Sequence, residues 1–258
     1  MGTHRFFIKQ VDPASKVIKF PGDIAHQIWH VLRLKQGDRV VVMDGEGKAY
    51  QVELSRHDSG ETTGKIIEIG EVESGLNVHI HLYFPLSKKR KVEWIFQKGT
   101  EVGVHAFHPF INQRSLVQSV EMNEKRKTRW ESIIREAAEQ SGRGRLPALH
   151  EPESLSNAIK TAADSSDKVL AAWVGESGRI LKDALADTRH LVRRLEGIPS
   201  LGVFIGPEGG FSEAEIAAFK QAEVETVSLG AHIFRMETAA IVFPAIVVYE
   251  LRDLQRSE

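Results

Sequence analysis

The 258-residue sequence contains no cysteine. This absence excludes disulfides, thiolate metal sites, iron–sulfur clusters and any mechanism that needs a cysteine nucleophile, and it is typical of cytoplasmic proteins. The sequence also lacks an apolar run of membrane-spanning length, and its first residues show no signal-peptide pattern. We therefore expect a cytoplasmic protein that has no membrane partner.

A zinc-binding pattern is also missing, although the chain has 11 histidines. His79 and His81 alternate along a predicted strand and therefore share one face, but no third ligand is evident. We expect no metal ion, and we interpret this pair as structural.

Basic and acidic side chains are nearly balanced, at 34 against 35, but they are unevenly distributed. Residues 85–146 carry 13 Lys and Arg against 7 Asp and Glu, whereas residues 147–258 carry 11 against 17. A basic segment followed by an acidic one suggests a polyanionic partner. Solvated helix faces produce the same pattern, so charge alone leaves both explanations open.

The first 69 residues combine short strands, glycine turns and a single helix, for which Asp23 is the expected N-cap. This pattern favours a small barrel. The polar segment Gly70–Asn77 is the expected linker to a second domain. The predicted strands are Arg5–Ile8, Asp38–Asp44, Ala49–Leu54 and Lys65–Ile69.

From Val78 onward, apolar strand-like runs alternate with amphipathic helices. This order predicts a parallel sheet that is covered by helices on both faces. The predicted strands are Val78–Phe84, Ala106–Ile111, Lys168–Val174, Leu201–Ile205 and Thr226–Leu229. The main predicted helices are Lys88–Val102, residues 120–141 and the C-terminal segment Thr238–Leu251.

Three loops follow three of these strands: Trp173–Gly178, Gly206–Phe211 and Gly230–Arg235. Open parallel sheets bind ligands at the carboxyl edge of their strands, so we expect the loops to form a ligand site. The glycines of the second loop match neither the dinucleotide pattern nor a P-loop, and Glu208 would repel a phosphate. A cationic or largely neutral ligand suits this loop better.

The segment Thr238–Leu251 is apolar nearly all round, which predicts a helix buried on more than one side. A symmetric dimer through this helix is the simplest way to cover it. A central helix buried within its own chain is the alternative.

Two motifs identify the family that the chain resembles: I-G-P-E-G-G-F-S-x-x-E at Ile205–Glu215 and S-L-G-x-x-I-F-R-M-E-T-A at Ser228–Ala239. They are similar to the SPOUT superfamily of methyltransferases, and most closely to the RsmE family of 16S ribosomal RNA uridine N3-methyltransferases. His232 departs from the pattern, because the family usually has arginine there. Further matching segments are His30–Asp38, Lys98–Val104, Asn112–Ser115 and Glu136–Arg143.

The resemblance implies an α/β fold in which a small PUA-like β-barrel RNA-binding domain, residues 1–72, precedes a SPOUT trefoil-knot methyltransferase domain, residues 73–258. It implies a homodimer that binds S-adenosyl-L-methionine with the three loops. The negative charge of Glu208 is either compatible with the cationic sulfonium of the cofactor or interacts with the dipole of the following helix. The implied cofactor-binding residues are Trp173, Gly175, Gly206, Pro207, Glu208, Gly209, Gly210, Leu229, Gly230, Ile233, Phe234 and Thr238.

The implied reaction is methyl transfer to N3 of a uridine near the decoding region of the small ribosomal subunit. The lack of cysteine agrees with this position, because methylation at pyrimidine C5 usually requires a thiolate. Arg235 is the candidate for stabilising negative charge on the uracil ring; alternatively it pairs with an acid such as Glu237. No residue stands out as the general base.

Basic clusters and family motifs indicate which residues contact the 16S rRNA. Two other functions stay open: a SPOUT enzyme that methylates the ribose 2′-OH of another RNA, and a non-catalytic RNA-binding protein of the PUA type. The predicted RNA-binding residues are Arg5, Arg33, Lys35, Lys88, Lys89, Arg90, Lys91, Asn112, Arg114, Gln140, Arg143 and Arg145.

Overall fold

A computed structural model describes residues 4–9, 11–56, 61–72, 78–87, 89–112, 114–115, 122–192 and 196–251. The chain forms two compact units. The first contains Met1–Ser74 together with Arg135–Leu146, and the second contains Gly75–Ile134 and Pro147–Glu258.

The first unit is built on a five-stranded sheet with the order β1-β3-β4-β5-β2. The pairing of β1 with β3 is parallel, and the other pairings are antiparallel. Val40 and Val42 alternate on β3 and are fully buried, as the period of a half-buried strand requires. The strands are β1 (Arg5–Phe7), β2 (Val17–Lys19), β3 (Arg39–Met43), β4 (Lys48–Arg56) and β5 (Thr62–Glu71).

The helix of this unit, α1 (Gly22–His26), continues into a π-helical turn at Gln27–Val31. Ile24 and Ile28 point from it into the core of the sheet. The prediction that Asp23 caps this helix is wrong: Pro21 occupies the N-cap position, and Asp23 lies in the first turn. There the negative charge of Asp23 still favours the positive end of the helix dipole.

A segment distant in sequence, Arg135–Leu146, completes the first unit. Ala138 packs with Phe7 and Met43 in a small buried cluster. The carboxylate of Glu139 accepts a hydrogen bond of 3.0 Å from the backbone N–H of Phe7.

The second unit contains a seven-stranded sheet in which every described pairing is parallel. The order is β12-β10-β11-β6-β7-β8, and β9 also pairs with β7. The strands are β6 (His79–Pro85), β7 (Val104–Ile111), β8 (Ala148–Leu149), β9 (Glu153–Ser154), β10 (Lys168–Ala172), β11 (Ser200–Ile205) and β12 (Glu225–Val227).

Helices cover both faces of this sheet, which confirms the prediction. One face packs against α2, α5 and α7, and the other packs against α4 and α6. The helices are α2 (Lys89–Val102), α3 (Glu124–Ser141), α4 (Leu155–Ser165), α5 (Leu181–Val192), α6 (Glu213–Gln221) and α7 (Met236–Leu251).

The C-terminal helix α7 inserts Phe243, Val247 and Leu251 into the core of its own chain. It continues through Pro244, whose side chain is buried. Tyr249 remains 64% exposed. In the part of the chain that the structure describes, no helix is long and apolar enough to cross a membrane.

Candidate functional site

The three loops meet at the carboxyl edge of the sheet, as predicted, because β12, β10 and β11 are neighbours. Ala172, near the end of β10, pairs with Ile205 on one side and with Val227 on the other. The strands therefore end side by side, and each of them delivers its loop to the same place.

The loops enclose a cavity of about 650 Å³, which is within the usual range for a small-molecule site. Its lining combines apolar side chains, backbone groups of the glycine turns and a few charged side chains. The lining residues are Lys91, Ala172, Trp173, Val174, Ile205, Gly206, Pro207, Glu208, Gly210, Phe211, Ser228, Leu229, Gly230, Ala231, His232, Ile233, Phe234, Arg235, Met236 and Ala239.

The loop after β11 is held by local hydrogen bonds. The N–H of Gly210, whose φ is +68°, donates to the carbonyl of Pro207 at 2.8 Å. Ser212 then caps α6 in the predicted capping box: its N–H donates to the Glu215 carboxylate at 2.7 Å, and its hydroxyl accepts from the Glu215 N–H at 3.3 Å. These hydrogen bonds fix the shape of the loop.

The loop after β10 places the half-buried Trp173 ring against the cavity. Gly175 is required beside it, because a Cβ atom at this position would lie 2.4 Å from the ring. Glu176 fixes the rest of the loop, accepting hydrogen bonds from the N–H of Gly178 at 2.9 Å and from the Thr226 hydroxyl at 2.6 Å. The Thr226 hydrogen bond is the main reason that the pKa of Glu176 is lowered.

The loop after β12 forms the exposed side of the cavity. Gly230 has a φ of +121°, a conformation that favours glycine. Ile233 is 76% exposed, and Arg235 is also exposed while lining the cavity. The α7 helix begins directly afterwards, where the Ala239 N–H donates to the Arg235 carbonyl at 2.9 Å.

An ion-paired cluster lies at the wall of the cavity. The ammonium of Lys91 is 2.7 Å from Glu208 Oε1 and 3.1 Å from Glu237 Oε2. The hydroxyl of Ser87 donates to the same Glu208 oxygen at 3.1 Å. Burial would raise the pKa of Glu208, but the hydrogen bond and charge of Lys91 outweigh it and lower that pKa. Glu208 therefore stays ionised at neutral pH.

Nine of the twelve predicted cofactor-binding residues line the cavity, together with the catalytic candidate Arg235. The other three are Gly175, Gly209 and Thr238. Gly175 supports the Trp173 ring, and the Gly209 carbonyl accepts a hydrogen bond from Arg114. Thr238 is exposed in the first turn of α7. Cofactor binding by these residues stays a prediction.

Three of the predicted RNA-binding residues contact the loop after β11 or the helix that follows it. Arg114 Nη1 donates to the Gly209 carbonyl at 2.9 Å, and Asn112 Nδ2 donates to Glu215 Oε1 at 2.9 Å. Lys91 occupies the ion-paired cluster. The sequence pattern did not indicate this role for Lys91, since nothing in a run of basic residues shows which one turns toward the sheet.

The neighbours of Lys91 are placed differently. Arg90 is exposed on α2. Lys88 lies outside the described residues, and Lys89 is described as part of α2 without its side chain. Their predicted contact with RNA stays a prediction.

The other predicted RNA-binding residues belong to the first unit. Arg5 and Arg145 lie against glycines of this unit, at Gly142 and Gly47 respectively. Arg143 is partly buried, and burial lowers its pKa to about 10. Arg33, Lys35 and Gln140 are exposed.

The predicted structural histidines form part of a ladder of stacked rings that runs over β6 and β7 to His150, directly after β8. The rings of His79 and His105 stack at 3.8 Å, and those of His108 and His150 stack at 4.0 Å. Between them, His81 Nδ1 lies 3.2 Å from His108 Nε2. Burial, followed by neighbouring histidines, lowers the pKa of His81 to about 4 and that of His108 to about 2. Among the residues described, no group of side chains is arranged to bind a metal ion.

Comparison with known protein families matches two models to the chain: an RNA methyltransferase domain over residues 74–248 and an RNA methyltransferase PUA domain over residues 20–67. The chain belongs to the RNA methyltransferase family. The predicted architecture of a PUA-like domain followed by an α/β methyltransferase domain is confirmed for this methyltransferase.

Relatives extend over the whole length of this RNA methyltransferase. Ribosomal RNA small subunit methyltransferase E of Bacillus subtilis is 31% identical to it over 97% of the chain and 98% of that protein. The enzyme of the same name from Synechocystis is 29% identical over 90% of the chain and 71% of that protein.

Two solved structures share the fold of this methyltransferase. The methyltransferase Lpg2936 of Legionella pneumophila, in complex with S-adenosylmethionine, has a TM-score of 0.82 and 26% identity, covering 96% of the chain and 97% of that protein. Ribosomal RNA small subunit methyltransferase E of Neisseria gonorrhoeae, bound to S-adenosylmethionine, has a TM-score of 0.81 and 25% identity. Here the coverage is 95% of the chain and 96% of that protein.

Proposed function

We propose that this chain transfers a methyl group from S-adenosyl-L-methionine to N3 of a uridine in the 16S rRNA of the small ribosomal subunit. The observation that carries the proposal is the convergence of three motif-bearing loops on one cavity of about 650 Å³. The Bacillus subtilis relative supports the rRNA substrate, since its similarity extends over nearly the full length of both chains.

The chemistry of the cavity fits this cofactor. Trp173, Phe211 and Phe234 provide apolar walls for a ring system, and the glycine turns expose backbone groups that recognise a base. Glu208 is ionised and lies beside the cavity, which suits a cationic ligand and opposes a phosphate. When bound, S-adenosylmethionine supplies an electrophilic methyl group on a positively charged sulfur.

The reaction forms a bond between N3 and the methyl carbon, breaks the bond from that carbon to sulfur and leaves the electron pair on sulfur. The N3 proton must be lost. The protein therefore accelerates the reaction by holding the uracil in line with the methyl group and by favouring the anionic form of the uracil. Arg235 is suited to the second task, because it is a cation that lines the cavity from an exposed position, where a base can reach it.

The remaining functional assignments are part of the same proposal. The PUA-like domain and the basic residues predicted from the sequence bind the rRNA, with residues 1–72 and 73–258 as the two functional domains. The enzyme works in the cytoplasm, where ribosomes are assembled. The resemblance further implies that the cofactor loops form a trefoil knot.

A homodimer through α7 completes the proposal. Tyr249 supports it, since it is a large side chain that remains 64% exposed on a predominantly apolar helix. Sedimentation analysis of the purified protein tests it, and a monomer at micromolar concentration would contradict it.

The substrate is tested with rRNA from a strain of the source organism that lacks this gene. Digestion and mass spectrometry of the 16S rRNA should show that one N3-methyluridine is missing and returns when the gene is restored. A normal level of this nucleoside together with a missing 2′-O-methylated nucleotide would indicate a ribose methyltransferase instead. Purified protein that shows no binding to S-adenosylmethionine by calorimetry would reject the enzymatic function.

A further inference from the structure

Lys91 is the feature of the cavity that the family motifs do not explain. It lies in the first turns of α2, outside the three loops, yet its ammonium contacts two carboxylates from two different motif segments. Glu208 belongs to the loop after β11, and Glu237 belongs to the first turn of α7. Lys91 therefore joins the two segments that carry the strongest sequence motifs.

The cluster is partly shielded from water. The side chains of Lys91, Glu208 and Glu237 are 27%, 30% and 20% exposed. The hydrogen bond to Glu208 is the main cause that raises the pKa of Lys91, and Lys91 lowers the pKa of Glu208 against the effect of burial. Both groups are charged at neutral pH, and they form an ion pair at the wall of the cavity.

Without Lys91, the two carboxylates would repel each other. Each oxygen is within hydrogen-bonding distance of the same nitrogen, so the two oxygens are at most about 6 Å apart, a distance at which like charges perturb each other strongly. One positive charge between them holds both in place and cancels half of their charge. Lys91 therefore makes the wall of the cavity less negative than Glu208 alone would make it.

We infer that Lys91 sets the electrostatic potential of the cavity and thereby its preference for S-adenosylmethionine over the product S-adenosylhomocysteine. This inference rests on the proposed cofactor. The two molecules differ by one methyl group and one positive charge on sulfur. Removing a cation from the wall makes the potential more negative throughout the cavity, so the direction of the effect does not depend on how the ligand lies.

The size of this electrostatic effect does depend on distance and on exposure, because water and salt screen exposed charges. Arg235 and His232 also line the cavity, but both are exposed. Lys91 is the cation that the partly buried carboxylates hold against the wall. The discrimination between product and donor is therefore more sensitive to Lys91 than to exposed cations nearby.

The test is the ratio of two dissociation constants, product over donor, measured by calorimetry. The ratio is informative because a general loosening of the loops weakens the binding of both ligands, and this common factor cancels in the ratio. In Lys91→Met the ratio should rise about three- to tenfold, and in Glu208→Gln it should fall by a similar factor. Arg90→Met is the matched control: it removes the same charge from the adjacent, exposed position and should change the ratio less than about twofold.

A ratio in Lys91→Met that equals the ratio in Arg90→Met would overturn the inference. If Lys91→Met proves unable to fold, Glu208→Gln decides, since an unchanged ratio in this variant also contradicts it. Lys91→Arg keeps the charge and should leave the ratio within about twofold of the wild-type value. Failure of the proposed function looks different, because the wild-type protein would then bind neither ligand.

Discussion

Arg114 donates a hydrogen bond from Nη1 to the backbone carbonyl of Gly209 at 2.9 Å and lies 3.4 Å from the carbonyl of Phe211. Its aliphatic carbons approach within 3.5 Å of the position that a Cβ atom on Gly209 would occupy. A side chain that its motif assigns to RNA thus supports the loop that carries Glu208.

Replacing Arg114 by alanine should weaken the binding of S-adenosylmethionine about three- to tenfold, because the loop loses a charge-assisted hydrogen bond. Titration calorimetry measures the effect. Lys125→Ala, an exposed charge on α3, is the control and should bind as the wild type does. Equal affinity in both variants would show that Arg114 does not support the loop after β11 for ligand binding.

Gly175→Ala should reduce cofactor affinity because the new methyl group would lie 2.4 Å from the Trp173 ring and must displace it from the cavity wall. A loss of about tenfold or more is expected if the ring contacts the ligand. Gly178→Ala in the same loop is the control, since its Cβ would meet only a carboxylate oxygen at 3.5 Å. Tryptophan fluorescence with added S-adenosylmethionine reports both affinities, and indistinguishable curves would refute the prediction.

Arg235→Ala should retain cofactor binding and lose most of its turnover. Arg235 is exposed where it lines the cavity, so its removal leaves the apolar walls intact, whereas in the proposed reaction the anionic uracil would lose a stabilising cation. A loss of about a hundredfold in kcat is expected from one such group. Single-turnover methylation of small subunits measures it, with Arg235→Lys as the charge-conserving control. Near-normal turnover in Arg235→Ala would remove this residue from the mechanism.

Acid should destabilise the folded protein through the histidine ladder. Because the folded-state pKa values of His81 and His108 lie below 6.5, the unfolded chain takes up protons first as the pH falls. Their contribution to the free energy of unfolding is fully present above pH 6.5 and is lost as the pH falls toward the folded-state pKa values, about 4 for His81 and about 2 for His108. We expect the free energy of unfolding to drop by about 4 kcal/mol between pH 7 and pH 5, about half of it from each histidine.

Urea denaturation at several pH values measures this slope. His108→Phe keeps an aromatic ring in the stack with Tyr83 and His150 but cannot take up a proton, so its stability should depend less steeply on pH. A slope unchanged from the wild type would place the acid sensitivity elsewhere.

Much of the second unit could be predicted from the sequence, because its strands are continuous apolar runs and its loops carry glycines. Glu208 and the capping box at Ser212 are local features, so the spacing of residues in the sequence is sufficient to predict them. The two-residue strands β8 and β9 carry no periodicity and were missed. The contact of Lys91 with Glu208 joins residues 117 positions apart, and no local pattern encodes it.

The first unit also contains a long-range contact that no local sequence pattern predicts. The sequence predicts one helix over residues 120–141, and α3 is continuous over Glu124–Ser141. No feature of that helix shows that its last turns pack on Phe7 and Met43. Such pairings are selected by shape and burial in three dimensions, and they leave only ordinary apolar and acidic residues in the sequence.

The contribution of Arg135–Leu146 to the first unit has a consequence for any attempt to divide the protein. Cutting the chain near residue 74 would separate the N-terminal sheet from Ala138, which covers Phe7, and from the carboxylate that holds the Phe7 N–H. The N-terminal piece would expose apolar surface, and the remainder would carry this segment without the sheet on which it packs. An exchange of RNA-binding modules between relatives must therefore transplant two stretches of sequence together.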